Sequence, residues 1–198
     1  MNAANILVID DFLSDPHFVR QEALKMEWLD KYGNHPGKRS ATAHRHPSIK
    51  RKLEQVLQET ITNWDVDWNT YNGSYNLCKQ WDRCWIHADS GNTYAMVLQL
   101  TPDAPVETGT ALYRHKKTGL RAKPDDEKLA AELDEQSLDF TAWEMTDYVG
   151  NFFNRASIYR GELYHSAVQY FGNTDEYCRL HQTFFFSTED EVKAFDYE

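Results

Sequence analysis

From Trp64 onward the chain is a succession of short β-branched and aromatic runs separated by turn residues, a texture that no helical bundle supports. The expected strands are Asn69 to Leu77, Trp85 to His87, Tyr94 to Leu100, Thr110 to Tyr113, Asn151 to Phe153, Ser157 to Tyr159, Tyr164 to Phe171 and Arg179 to Phe186. About eight strands of this length form a sandwich or a barrel. With only 41% apolar residues but 14% aromatic ones, much of the core must consist of large rings.

The residues before this region read differently. Ile6 to Leu13 is a short β-rich run, and Ser14-Asp15-Pro16 then offers a cap and a first-turn proline for a helix expected from Pro16 to Trp28. Residues 32 to 47 read as an irregular basic connection, and a second helix is expected from Pro47 to Ile61. Residues 121–139 interrupt the strands with a helix after Pro124. One domain over 1–198 is expected, with a helical flank at 1–63 and a barrel core at 64–198.

Charge narrows the partners. With 31 acidic against 21 basic residues, the net charge of −10 argues against nucleic acid, whose phosphates need clustered cations. Basic stretches at 37–52 and 114–123 qualify this, because at a barrel mouth they would attract an anion or an acidic partner. The start lacks a basic opening, and the apolar run Ile6 to Ile9 is cut by Asp10 and Asp11, so no secretory signal or membrane span is expected. The three cysteines form no C-x-x-C pair, which fits a reducing, cytoplasmic setting with thiols as small core residues.

Chemistry enters with Trp85-Ile-His87-Ala-Asp89. On an extended segment His87 and Asp89 point the same way and can reach one ion. With eight His and 31 acidic residues, about one such H-x-D/E is expected by chance, so its company decides. That company is His165, at the start of a late strand, and Arg179, which follows it by 14 residues. Two imidazoles and one carboxylate on one side of an ion leave positions open for ligands. A buried guanidinium opposite the ion calls for an anion. His181 is the alternative second histidine; it shares the face of Arg179 but leaves only Lys193 to follow it. Tyr75, Tyr94, Gln99, Thr183 and Trp85 alternate along the expected strands and either pack in the core or face the barrel. His44 and His46 read as surface residues, and His17, His35 and His115 have no metal partner.

In order and spacing these residues resemble the iron(II)/2-oxoglutarate-dependent dioxygenases, in particular the prolyl-4-hydroxylase-like branch. Val8-Ile-Asp-Asp-Phe-Leu13 is similar to that branch's opening, Thr108-Gly-Thr-Ala-Leu-Tyr113 to its Gly-rich strand, and His165-Ser-Ala-Val168 through Arg179-Leu-His-Gln-Thr-Phe-Phe-Phe186 to its closing hairpin. The resemblance implies a double-stranded β-helix with jelly-roll connections. It also implies Fe(II) held by His87, Asp89 and His165, and 2-oxoglutarate held by Arg179 with Thr183 and Tyr75. The expected activity is hydroxylation of a C–H bond of a small molecule or peptide, an amino acid or peptidyl residue, with release of succinate and CO2. Asp89 leaves no ligand position for a halide, which argues against halogenation. Where many prolyl hydroxylases have Tyr-x-Pro-Gly, this chain has Cys78-Lys-Gln-Trp81, and its hairpin is longer. The rival readings are a vestigial or structural barrel without activity, and a cupin-like isomerase or hydrolase that would not need Arg179.

Overall fold

The structure is a computed structural model that describes residues 5–30, 36–65 and 72–189. Ten strands and three α-helices run in the order β1 (Ile6–Ile9), α1 (Pro16–Leu24), β2 (Trp28–Asp30), β3 (Lys38–Ser40), α2 (Pro47–Leu57), β4 (Ser74–Cys78), β5 (Tyr94–Gln99), β6 (Thr110–His115), α3 (Glu127–Glu135), β7 (Trp143–Val149), β8 (Ala156–Arg160), β9 (His165–Ala167) and β10 (Arg179–Phe186). Seven strands form one sheet, β1-β8-β5-β10-β4-β3-β2, and three form a second, β7-β6-β9. Every pairing is antiparallel. This is the expected double-stranded β-helix with helices on the larger sheet.

β10 explains how one sheet serves two environments. Its even residues Leu180, Phe184 and Phe186 join Ala23 of α1 and Ile49 and Leu53 of α2 in the main core, where Trp64 stacks on Phe184 at 5.4 Å. Its odd residues Arg179, His181, Thr183 and Phe185 line a cavity on the opposite face. The period-two alternation of a strand produces this division.

Both flanking helices begin as their sequence indicates. The Asp15 side chain accepts from the Phe18 amide and Pro16 occupies the first turn, while His46 caps α2 by accepting from the Ser48 amide. Both helices are shorter than expected, ending at Leu24 and Leu57. After α1 the chain turns outward, and Trp28–Asp30 pairs with Lys38–Ser40 as an edge ribbon. That ribbon was not expected, because three-residue strands carry little periodicity.

Other expectations need correction. Trp85 to His87 contributes one isolated bridge, His87 to His165, and Tyr164 to Phe171 is extended only over His165–Ala167. Asn151 to Phe153 is no strand: it leads into a turn at Asn154, whose φ is 63°. Trp143–Val149, not among the expected strands, is the outer strand of the small sheet, its middle residues largely exposed. His35, Lys193 and the first part of the run from Asn69 lie outside the described residues.

One glycine permits a close backbone approach where β6 begins beside β7. A Cβ on Gly109 would lie 1.9 Å from the Val149 carbonyl oxygen, so only a hydrogen fits between β6 and β7. Gly109→Ala is expected to lower unfolding free energy by about 1–3 kcal/mol through overpacking, measurable in urea. An unchanged midpoint would show that the strands separate without cost.

Candidate metal centre

His87 and His165 lie opposite each other across their bridge, each amide donating to the other's carbonyl at 3.0 and 2.8 Å. Asp89 is fixed two residues on, where its amide donates to the Gly161 carbonyl at 2.8 Å. These three backbone bonds bring one nitrogen of each imidazole and a carboxylate oxygen within 4.8 Å of one another.

The orientation of the donors fits a cation. His87 Nδ1 lies 3.1 Å from the Trp85 carbonyl and His165 Nδ1 lies 2.7 Å from the Leu163 carbonyl. A carbonyl can only accept, so both Nδ1 atoms carry the proton and both Nε2 lone pairs remain available. These Nε2 atoms lie 3.8 and 3.5 Å from the Asp89 oxygens. Asp89 Oδ2 is buried and has no hydrogen-bond partner among the described residues. Two imidazoles with inward Nε2 atoms and a carboxylate oxygen lacking a donor among the described residues form a suitable donor set for a divalent transition metal.

Burial, and then the neighbouring His165, lower the His87 pKa to about 4. The unfolded chain binds this proton near 6.5 and the folded chain does not, so stability is fully present above 6.5 and is lost as pH falls towards 4. Because 37% of the His87 side-chain surface stays open, the loss is smaller than for an enclosed imidazole. Urea midpoints of metal-free protein should therefore drop between pH 6.5 and 4, and His87→Gln should flatten that drop; equal slopes would refute the assignment.

The cavity has a volume of about 120 Å³, and its lining includes all three donors, Trp85, Thr110, Tyr159, Tyr170 and Arg179. Arg179 is 2% exposed. Its Nη2 donates to Thr110 Oγ1 at 3.1 Å, its Nε to Gln99 Oε1 at 3.4 Å, and its guanidinium lies 5.6 Å from the Tyr170 ring centre. No carboxylate pairs with it among the described residues. A buried cation with only neutral neighbours is costly, and an anionic guest in the same cavity would offset that cost.

The expected site residues separate by face. Thr183 lines the cavity, accepting from Asn76 Nδ2 at 3.1 Å, but lies four residues along β10 from Arg179. Tyr75 does not reach the cavity. It pairs in register with Gln182, and that face of the sheet packs Tyr75 into the helix-side core. Tyr94 also lies on that side, stacking with Phe186, whereas Trp85 lines the cavity and Gln99 reaches Arg179. His181 lines the cavity beside Arg179 but is not in the three-donor cluster. His44 bonds Thr42, and His115 is buried between Thr118 and Gln136.

Residues 1–170 match the model of a family described as a family of unknown function, DUF6445. The chain belongs to that family. No curated protein matches it. Among solved structures it is similar to HygX from Streptomyces hygroscopicus with nickel, 2-oxoglutarate and hygromycin B bound, at TM-score 0.57 and 11% identity, covering 93% of this chain and 82% of that one. It is also similar to a prolyl hydroxylase from Trichoplax adhaerens in complex with a hypoxia-inducible-factor peptide, at TM-score 0.53 and 10% identity over 98% and 88% of the two chains. A third is the non-heme alpha-ketoglutarate-dependent epimerase SnoN from nogalamycin biosynthesis, at TM-score 0.51 and 15% identity over 90% and 76%. At these identities the likeness is one of fold, and the fold is that of the 2-oxoglutarate oxygenases.

Thr110, Tyr159 and Tyr170 were not singled out by sequence reasoning. Thr110 and Tyr159 lie within runs read as strands, and their alternation would have exposed them had the register of β6 and β8 been known. Tyr170 lies within the run Tyr164 to Phe171 read as a strand, but the chain leaves strand geometry after Ala167, so alternation could not place it.

Proposed function

We propose that this DUF6445 protein is an Fe(II)/2-oxoglutarate-dependent oxygenase that hydroxylates a substrate C–H bond, the substrate being an amino acid or a peptidyl residue. The carrying observation is the presence, in one cavity, of the His87, Asp89 and His165 cluster and the buried, anion-lacking Arg179. Either half alone has simpler explanations. Together they match a ligand that is both a metal chelator and an anion.

His87, Asp89 and His165 would hold the metal, the imidazole Nε2 atoms turned inward by the Nδ1 bonds to the Trp85 and Leu163 carbonyls and the Asp89 backbone fixed by its amide's bond to the Gly161 carbonyl. Arg179, held by Thr110 and Gln99, would pair with the far carboxylate of 2-oxoglutarate. When bound, iron and 2-oxoglutarate would supply the redox chemistry, by which O2, the oxo acid and a substrate C–H bond give succinate, CO2 and the hydroxylated substrate. The protein's share is placement and exclusion of water, for which an aromatic wall of buried Tyr159 and half-buried Tyr170 is suited. The solved neighbours support the cosubstrate, since HygX is described with nickel and 2-oxoglutarate bound. They differ in their other ligands, a peptide in one and hygromycin B in another. No helix among the described residues is long and apolar enough to cross a membrane.

The test is turnover of labelled 2-oxoglutarate to succinate by purified protein with Fe(II), ascorbate and O2. Slow substrate-free turnover that rises with an amino-acid or peptide pool is expected. No turnover together with no 2-oxoglutarate binding would sink the proposal and favour a binding or structural barrel.

A further inference from the structure

The residues beside the three donors turn away from the cavity and share one support. His87, Asp89 and His165 line the cavity, whereas Ile86, Ala88 and Tyr164 pack in a separate apolar cluster behind it, as extended backbone alternates its side chains. That cluster includes Leu133 of α3 and Trp143 of β7. Leu133 and Tyr164 are each 1% exposed, and the rings of Trp143 and Tyr164 lie 4.6 Å apart. We propose, on the premise of the metal centre in the function above, that the segment between β6 and β7, which carries α3, is a strut for the metal cluster. Leu133 is its positioning residue, and docking of the segment and binding of the metal strengthen each other.

Backbone bonds converge on the same two places. The Ile86 amide donates to the Ser137 carbonyl, just after α3, at 2.8 Å, and the Tyr164 amide donates to the Arg121 carbonyl, before α3, at 2.8 Å. The Lys123 amide donates to the Glu162 carbonyl at 2.9 Å, and Ala122 bridges Leu163. One segment thus holds the residue before each histidine, from either end of its own helix. It is fixed in turn to the small sheet: Trp143 Nε1 donates to the Gln136 carbonyl at 3.0 Å, and Gln136 Oε1 lies 3.3 Å from His115 Nε2 on β6. The cluster takes no residue from the seven-stranded sheet that carries Arg179.

This backing matters because the direct link between the histidines is slight, one isolated bridge. If the segment undocks, the Ile86 and Tyr164 amides lose their acceptors and the side chains their packing, and nothing behind the imidazoles fixes their separation. A metal bound across both chain segments opposes that opening. By linkage, the docked segment raises metal affinity by the factor with which metal favours docking.

The test uses Co(II) alone, without oxygen. Amides of α3 in the wild type are expected to exchange about 5- to 150-fold more slowly when Co(II) is bound, the span of ordinary coupling between sites. The edge ribbon of β2 and β3, which opens independently of the cluster, should keep its rate. Leu133→Ala is expected to weaken Co(II) binding by a factor in the same range and to change the visible spectrum of the bound ion. Leu133→Met, which refills the cluster, should restore both. A leucine that only packs would lower the melting temperature on truncation and leave Co(II) affinity and spectrum as in wild type. Exchange of α3 that ignores Co(II), or a folded Leu133→Ala protein with affinity within about twofold of wild type, overturns the inference and leaves the proposed function standing. If Leu133→Ala does not fold, the wild-type exchange decides alone. Failure of the wild type to bind Co(II) overturns the metal centre itself.

Discussion

Asp89→Ala is expected to abolish succinate formation and to weaken metal binding by at least about 100-fold, because it removes the one anionic donor of the cluster. The variant should remain folded. Asp89 is held in place by its backbone hydrogen bond to the Gly161 carbonyl, which alanine retains, and its buried Oδ2 has no hydrogen bond to lose among the described residues. Lost metal affinity with an unchanged metal-free melting curve separates a ligand from a structural carboxylate. Retention of turnover within about tenfold of wild type would rule Asp89 out as a ligand.

Arg179→Met should act on the other half of the site. Methionine keeps much of the side-chain volume and removes the charge, so the cavity wall persists while the anion loses its partner. Breaking a buried charge pair from one side costs about 2–5 kcal/mol, so 2-oxoglutarate affinity should fall by roughly 30-fold to several thousand-fold. Metal affinity without the oxo acid should not change. Because Arg179 is buried against neutral groups, the metal-free variant is expected to be at least as stable as wild type. Calorimetry with both ligands checks this, and unaltered 2-oxoglutarate affinity would disprove the role of Arg179.

How much of this was legible follows from how far each signal extends along the chain. β10 matches its expected bounds because eight residues of aromatic and β-branched alternation leave little choice. β7 was missed because an outer strand exposed at its centre has the composition of a solvated face. The three donors were legible because H-x-D is local and an arginine following a second histidine on a late strand is a rare combination. Tyr75 was misplaced for the opposite reason. Which face a strand residue occupies depends on parity relative to its partners, and a one-residue ambiguity in register exchanges Tyr75 for Asn76. The partners of Arg179, Thr110 and Gln99, lie 69 and 80 residues from it along the chain, and only folding brings them together.

The two walls of the cavity are unequal in their backbone support. Arg179 stands on β10, paired on both sides within the seven-stranded sheet. His87 is held to His165 by a single isolated bridge, and β9 is three residues long. Local opening should be as rare as global unfolding on the first wall and far more frequent on the second. Under the proposed function, the wall that would receive the anion is thus fixed and the one that would clasp the metal is loosely hinged, and a bound ion would tie together segments that the backbone alone holds lightly.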